Sequence, residues 1–149
     1  MLLLIAGADG CRGGGGRDAE RQPVTPVLEI VAPSTVRPGE SVPIALRVTN
    51  PGDRSLDLYL VGRTITFDIV VAAPDGEVVW RRLEGASVQQ ILQVRTLAPG
   101  ETLELRDAWS QRTNAGAPTA PGSYTMQGII PTDAEPLRTA VVPLRVVPP

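Results

Sequence analysis

The sequence contains no histidine and no lysine, a single cysteine, and only 3% aromatic residues. Without histidine there is no Ser-His-Asp triad, no Cys-His pair and no imidazole ligand for a metal. One cysteine excludes an intrachain disulfide and a thiolate zinc cage. The fold has to hold without cross-links. All 14 cationic side chains are arginine, and the net charge is −2. Neither fact makes an electrostatic case for nucleic acid. With few aromatic rings, a core has to be built from Val, Leu and Ile, whose branched side chains suit the pleated surface of strands.

What is present is punctuation. The 149 residues include 15 Gly and 15 Pro. They fall between short apolar runs, a pattern that argues for strands and turns and against long helices. The apolar fraction of 42% is enough for a globular core.

Residues 1–11 (MLLLIAGADGC) form a short apolar run ending in Gly10-Cys11. The run is shorter than the roughly 20 apolar residues a bilayer span needs. It resembles the end of a bacterial lipoprotein signal, with Cys11 as the candidate lipidation site. Asp9 and the lack of a leading cation depart from that pattern. The alternative reading is an unremarkable thiol in a disordered N-terminal tail. Residues 12–26, with four successive glycines, have the composition of a flexible linker. A glycine-rich phosphate loop is excluded, because no strand precedes the run and no Gly-Lys-Ser/Thr follows. Residues 27–149 are left as one folded domain.

Within that domain, 27–32 (VLEIVA) is the first expected strand. In 42–49 (VPIALRVT), Val42, Ile44, Leu46 and Val48 alternate with polar positions, as in a strand with one buried face. Pro43 lies on the polar face, which suggests an edge or a bulge there. Leu56, Leu58 and Leu60 mark a further strand. Across 64–71 (TITFDIVV), Ile65, Phe67, Ile69 and Val71 are expected inward and Asp68 outward. Pro74-Asp75-Gly76-Glu77 signals a hairpin into 78–83 (VVWRRL). Residues 88–94 (VQQILQV) are ambiguous, with a strand preferred. Two Pro-Gly-Glu turns, at Pro38-Gly39-Glu40 and Pro99-Gly100-Glu101, precede strands. In 102–109, Leu103 and Leu105 face inward, and Trp109 is expected to join them only through a bulge near Asp107. Tyr124, Met126, Gly128 and Ile130 share a face, as do Val142, Leu144 and Val146. Tyr124, just after Pro121-Gly122, has the placement of a tyrosine corner. The fold class is therefore all-β: an immunoglobulin-like antiparallel β-sandwich of about seven to nine strands.

The order of these features resembles the intracellular proteinase inhibitor family, the BsuPI-type domain. The residues that carry the resemblance are Phe67-Asp68-Ile69, Asp75-Gly76, Val79-Trp80-Arg81, Val88-Gln89-Gln90, Leu97 with Pro99-Gly100-Glu101, Trp109, and Pro121-Gly122-Ser123-Tyr124-Thr125. Arg82 and Val88 depart from it, Arg82 standing in place of an aromatic or small residue and Val88 in place of an aromatic. The resemblance implies a non-catalytic domain that binds a protein partner, a serine protease, and blocks it. It implies no cofactor.

Each singled-out residue also has a plainer role. Trp80 and Trp109 are expected to plug the core, and Arg81 and Arg82 to lie along a strand edge with their stems covering apolar surface. Substrate-mimic inhibition needs an exposed loop held in a rigid frame. Residues 83–87 and 112–120 are the two candidates, the second presenting Arg112, Asn114 and Pro118 as a partner-binding loop. Asp53, Asp57, Asp75 and Asp133 lack calcium-loop spacing. The alternative function is a structural or adhesive module of a cell-envelope lipoprotein tethered to a membrane through Cys11. The chain is expected to be a monomer. Its expected location is the cell envelope or outside the cell, with the cytoplasm as the alternative.

Overall fold

A computed structural model describes residues 23–149. The readings at Cys11 and across 12–22 lie outside the described residues. The alternating runs become eleven strands: β1 (Val27–Val31), β2 (Thr35–Val36), β3 (Val42–Thr49), β4 (Leu56–Val61), β5 (Asp68–Ala72), β6 (Val78–Arg81), β7 (Leu92–Leu97), β8 (Thr102–Trp109), β9 (Gly122–Ile130), β10 (Leu137–Arg138) and β11 (Val142–Val146). Two of them, β2 and β10, are only two residues long. No helix occurs among the described residues.

One layer is the antiparallel sheet β1-β3-β8. The other runs β2-β11-β9-β5-β6, with β10 also on β9, and is antiparallel except where β2 lies parallel to β11. Between them sits a single core that includes Val42, Ile44, Leu46, Trp109, Ile69, Met126 and Leu144. This is an immunoglobulin-like sandwich, and its inner faces are those the alternation marked. Gly128 shows how tightly the layers approach. A methyl group built on it would overlap the Leu46 side chain of the opposite sheet.

β4 and β7 form a two-stranded ribbon that continues the β3-β8 pair beyond a kink. The kink is built on Asn50, whose backbone exchanges hydrogen bonds with the second Pro-Gly turn: its N–H donates to the Glu101 carbonyl at 3.0 Å, and its carbonyl accepts from Gly100 N–H at 2.8 Å. The buried Asn50 amide donates to the carbonyls of Arg54 and Leu97, and its oxygen accepts from Gly52 N–H. A buried amide this fully satisfied fixes one backbone path. The two Pro-Gly-Glu turns share one construction. Gly39 and Gly100 have φ of 79° and 74°, and each glutamate carboxylate accepts the N–H three residues earlier, Glu40 from Arg37 and Glu101 from Ala98.

Four expectations need correction. Trp109 requires no bulge, because β3 and β8 pair without interruption from Val42↔Trp109 to Thr49↔Thr102. Leu103, Leu105, Asp107 and Trp109 are each two residues apart, so strict alternation already places Trp109 inward. Asp107 is accommodated on that face because it is exposed and paired with Arg82. Residues 64–67 are not strand. Gly62, with φ of 95°, turns the chain, Thr66 N–H closes on the Val61 carbonyl at 2.9 Å, and β5 begins only at Asp68. Asp68 lies on the outer face of β5 but is buried there rather than exposed, because Arg81 and Leu83 cover it. The strand expected over 88–94 starts later, at Leu92, and runs to Leu97. Pro43 does sit at a local edge: β1 ends at the Val31↔Ala45 pair, leaving β3 with β8 alone beside Pro43.

Candidate functional site

The aromatic and arginine residues that drew attention in the sequence meet at one end of the sandwich. Trp109 is completely buried, with its indole N–H donating to the Arg112 carbonyl at 2.9 Å. Its ring centroid lies 5.9 Å from Tyr124, edge-on, and 6.3 Å from Trp80. These offsets are typical of attractive aromatic pairs. Trp80 comes from the edge strand β6 and is half-buried. Tyr124 donates its hydroxyl to the carbonyl of Ala120, four residues upstream, which is tyrosine-corner geometry. Gly122 opens that strand opposite Val146.

Arg81 and Arg82 are both engaged. The Arg81 guanidinium donates to Asp68 Oδ2 through Nη2 at 2.8 Å and Nε at 3.2 Å. Asp68 Oδ1 accepts the N–H of Ile69 and of Leu83. The chain after β6 therefore folds back over Asp68, and the carboxylate is buried because every lone-pair direction has a donor. Arg82 lies over the Phe67 ring at 3.8 Å, donates to the Phe67 carbonyl at 2.7 Å and pairs with Asp107 of β8. It ties one sheet to the other, a role open to a planar guanidinium that stacks and donates together.

The candidate loop carrying Arg112, Asn114 and Pro118 is a tight hairpin. Arg112 and Pro118 form an antiparallel bridge, Thr113 N–H donates to Ala117 O at 2.7 Å, and Gly116 takes φ of 88°. Arg112 donates from its guanidinium to the Gly116 carbonyl. The Asn114 side chain pairs with the edge of β6 as a strand would: its Oδ1 accepts Arg81 N–H at 2.7 Å and its Nδ2 donates to Arg81 O at 2.9 Å. Gln111 anchors the base. It is buried at φ of 58°, and its amide donates to the carbonyls of Arg37 and Glu40. The hairpin is exposed, but its backbone is closed on itself.

The other candidate loop, 83–87, leads into the stretch expected only as an ambiguous strand. Residues 83–86 turn, with Ala86 N–H on the Leu83 carbonyl at 3.0 Å. The backbone of 87–91 then makes neither turn, bend nor ladder. Its far end is held by Gly62 N–H on Ile91 O at 2.7 Å, and Gln93 donates to the carbonyls of Gly62 and Arg63. A shallow cleft of about 280 Å³ runs between this stretch and residues 63–66. The strip continues through exposed Ile91 into β7, where Leu92 and Val94 are exposed and Val94 pairs with Tyr59 of β4. The one signal in the sequence is a lack of charge, which Gly85 to Val94 shares with residues 113–132.

Two larger concavities lie on the outer sheet faces. One, of about 780 Å³, is floored by Pro43, Ala45 and Ala108 and rimmed by Arg47 and Arg106. The other, of about 640 Å³, lies beside Asp68, Arg81, Gln127 and Arg138. Among the described residues no three His, Cys, Asp or Glu side chains gather as a metal site would require.

Residues 30–135 match the family model described as BsuPI, intracellular proteinase inhibitor. The chain belongs to this family. The BsuPI match runs from near the end of β1 to just before β10 and includes both candidate loops and the uncharged strip. A search of curated proteins finds no relative. Among solved structures, latent PorU from Porphyromonas gingivalis aligns with a TM-score of 0.50 at 15% identity, covering 85% of this chain and 10% of that one. The CARDB domain of the PF1109 protein from Pyrococcus furiosus aligns at 0.46 and 17% identity, covering 83% and 94%. A DNA glycosylase from Pseudomonas fluorescens aligns at 0.45 and 13%, covering 81% and 29%. The chain thus spans only a minor part of two of these three proteins, and what it shares with PorU is the fold.

Proposed function

We propose that this BsuPI-family domain is a non-catalytic protein-binding module that binds and blocks a serine protease. The family match over 30–135 carries the reading. The frame supports it. An inhibitor that presents a surface already in its bound shape avoids the ordering cost of association. Here turns pinned by Asn50, Asp68 and Gln111 hold the connections to a sandwich with a continuous core. The lack of histidine in the sequence agrees with a role that requires no chemistry of its own. The test is a titration of the purified protein against subtilisin-like and chymotrypsin-like proteases. Stoichiometric inhibition of at least one is expected, and binding to none overturns the reading.

A second reading concerns location, and Gly10-Cys11 after an apolar run favours it. The domain would be a lipid-tethered module of the cell envelope rather than a free cytoplasmic protein. Membrane fractionation of the wild type and Cys11→Ala separates the two. The tether predicts membrane-bound wild type and soluble variant, and equal solubility overturns it.

A further inference from the structure

We infer that the uncharged strip from Ser87 to Val94, with Tyr59 beside it, is the face that enters the protease cleft. The partner it fits is an endoprotease whose subsites take uncharged side chains. This inference rests on the inhibitor reading above and assigns that activity a surface.

Four observations converge on the strip. First, it carries no charge. One residue in five is charged across the chain, yet Gly85 to Val94 carries none. A cleft specific for Arg or Lys at its main pocket would find no matching charge here, whereas a neutral, apolar cleft would meet no desolvated ion. Second, the side chains are available. Ile91, Leu92 and Val94 are 43%, 55% and 56% exposed and Tyr59 is 46% exposed. Val94 is the direct cross-strand partner of Tyr59, so these two stand together on the outer face of the ribbon. Third, the backbone is available. Residues 87–91 are outside every ladder, and among the described residues no strand pairs with the far edge of β7. Free N–H and C=O groups in sequence are what a protease cleft uses to align a substrate-like segment as an added strand. Fourth, both ends are fixed, by the 83–86 turn and by the Gly62–Ile91 hydrogen bond. Residues 113–118 of the hairpin are uncharged too, but there the backbone is not available. Its backbone bonds are internal and Asn114 is engaged with β6.

The test uses the full chain and a protease the wild type inhibits. Gln89 and Gln90 are exposed, and neither side chain holds another element. The double variant Gln89→Asp/Gln90→Asp should therefore melt like the wild type. Placing two carboxylates in an uncharged cleft should weaken inhibition by more than about tenfold. Ala115→Asp, at the exposed hairpin tip, should inhibit like the wild type. Trypsin-like enzymes should be inhibited far less than enzymes that cleave after uncharged residues. If the double variant inhibits normally while Ala115→Asp fails, the hairpin is the contact and the strip assignment falls alone. The assignment also falls alone if the double variant inhibits normally and the free protein is a dimer that Val94→Asp dissociates, since the β7 edge then pairs with a second copy. If the wild type inhibits no protease, the inhibitor reading and the strip assignment fall together.

Discussion

Trp109 and Trp80 look alike in the sequence and differ in the fold. Trp109 ends a central-facing alternation and is sealed on all sides, while Trp80 sits on an edge strand and leans on it. Trp109→Ala should cost about 3–5 kcal/mol, the range for deleting a fully buried ring. Trp80→Ala should cost clearly less than that, because part of its surface already meets water. Urea melts followed by circular dichroism check both values, and equal losses would mean that Trp80 is sealed as well. Alternation predicts which way a side chain leaves its strand and says nothing of what covers that side. Asp68 points away from the core as its position requires, but the chain after β6 folds over it and supplies Arg81 and Leu83 as donors. The partners lie 13 and 15 residues away, so no local pattern could reveal the burial.

At the scale of elements, β3, β9 and β11 were legible because each has one buried and one open face, so period-two patterning survives in the sequence. The Pro-Gly-Glu turns were legible because proline and glycine fix their torsions locally. The starts of β5 and β7 were not. Alternation runs on through 64–67 although Gly62 has already turned the chain, and β7 sends Leu97 into the core but leaves Leu92 and Val94 exposed, so its apolar residues do not mark one buried face. The strip proposed as the protease contact was hidden for that reason. Packing between elements gives a sharper test. Gly128→Ala forces a methyl into Leu46 across the core and should cost about 1–3 kcal/mol, the range for overpacking. Combined with Leu46→Ala, the added methyl should fill part of the cavity, so the double variant should lose less than the sum of the singles. Additive losses would place the two residues out of contact. On the outer face of the same sheet, Glu104 lies between Arg106 of its own strand and Arg47 of β3. Hydrogen bonding to Arg106, then to Arg47, holds its carboxyl below the ordinary value despite some desolvation. A depressed carboxylate stabilises the fold above its unfolded pKa and loses that contribution as the pH falls through the folded one. Melting temperatures of the wild type and Glu104→Gln should therefore differ at neutral pH and converge in acid. The gap should be small and shrink in high salt, as for any exposed ion pair.

For the whole molecule, the question is how two sheets assemble when almost no neighbouring strands pair. β5 and β6 form a local hairpin, but β3 must find β8, β4 must find β7, and β5 must find β9. Each of these pairings closes a long loop before its contacts stabilise anything. The kink at Asn50 raises the demand, since it joins the turn after β3 to the turn before β8 and is satisfied only when both strands are in register. The nucleus is therefore expected to involve β3, β8 and the Asn50 kink together rather than any single hairpin. Folding should take milliseconds to seconds, as in other sandwiches of high contact order. The burial of Trp109 against Tyr124 gives an intrinsic fluorescence signal for stopped-flow refolding. A truncating change at Leu46 or Leu103 should slow folding, whereas Val79→Ala on the edge strand β6 should mainly speed unfolding. Complete recovery of the Trp109 signal in microseconds would show that local contacts organise the sandwich, contrary to the pairing between distant strands.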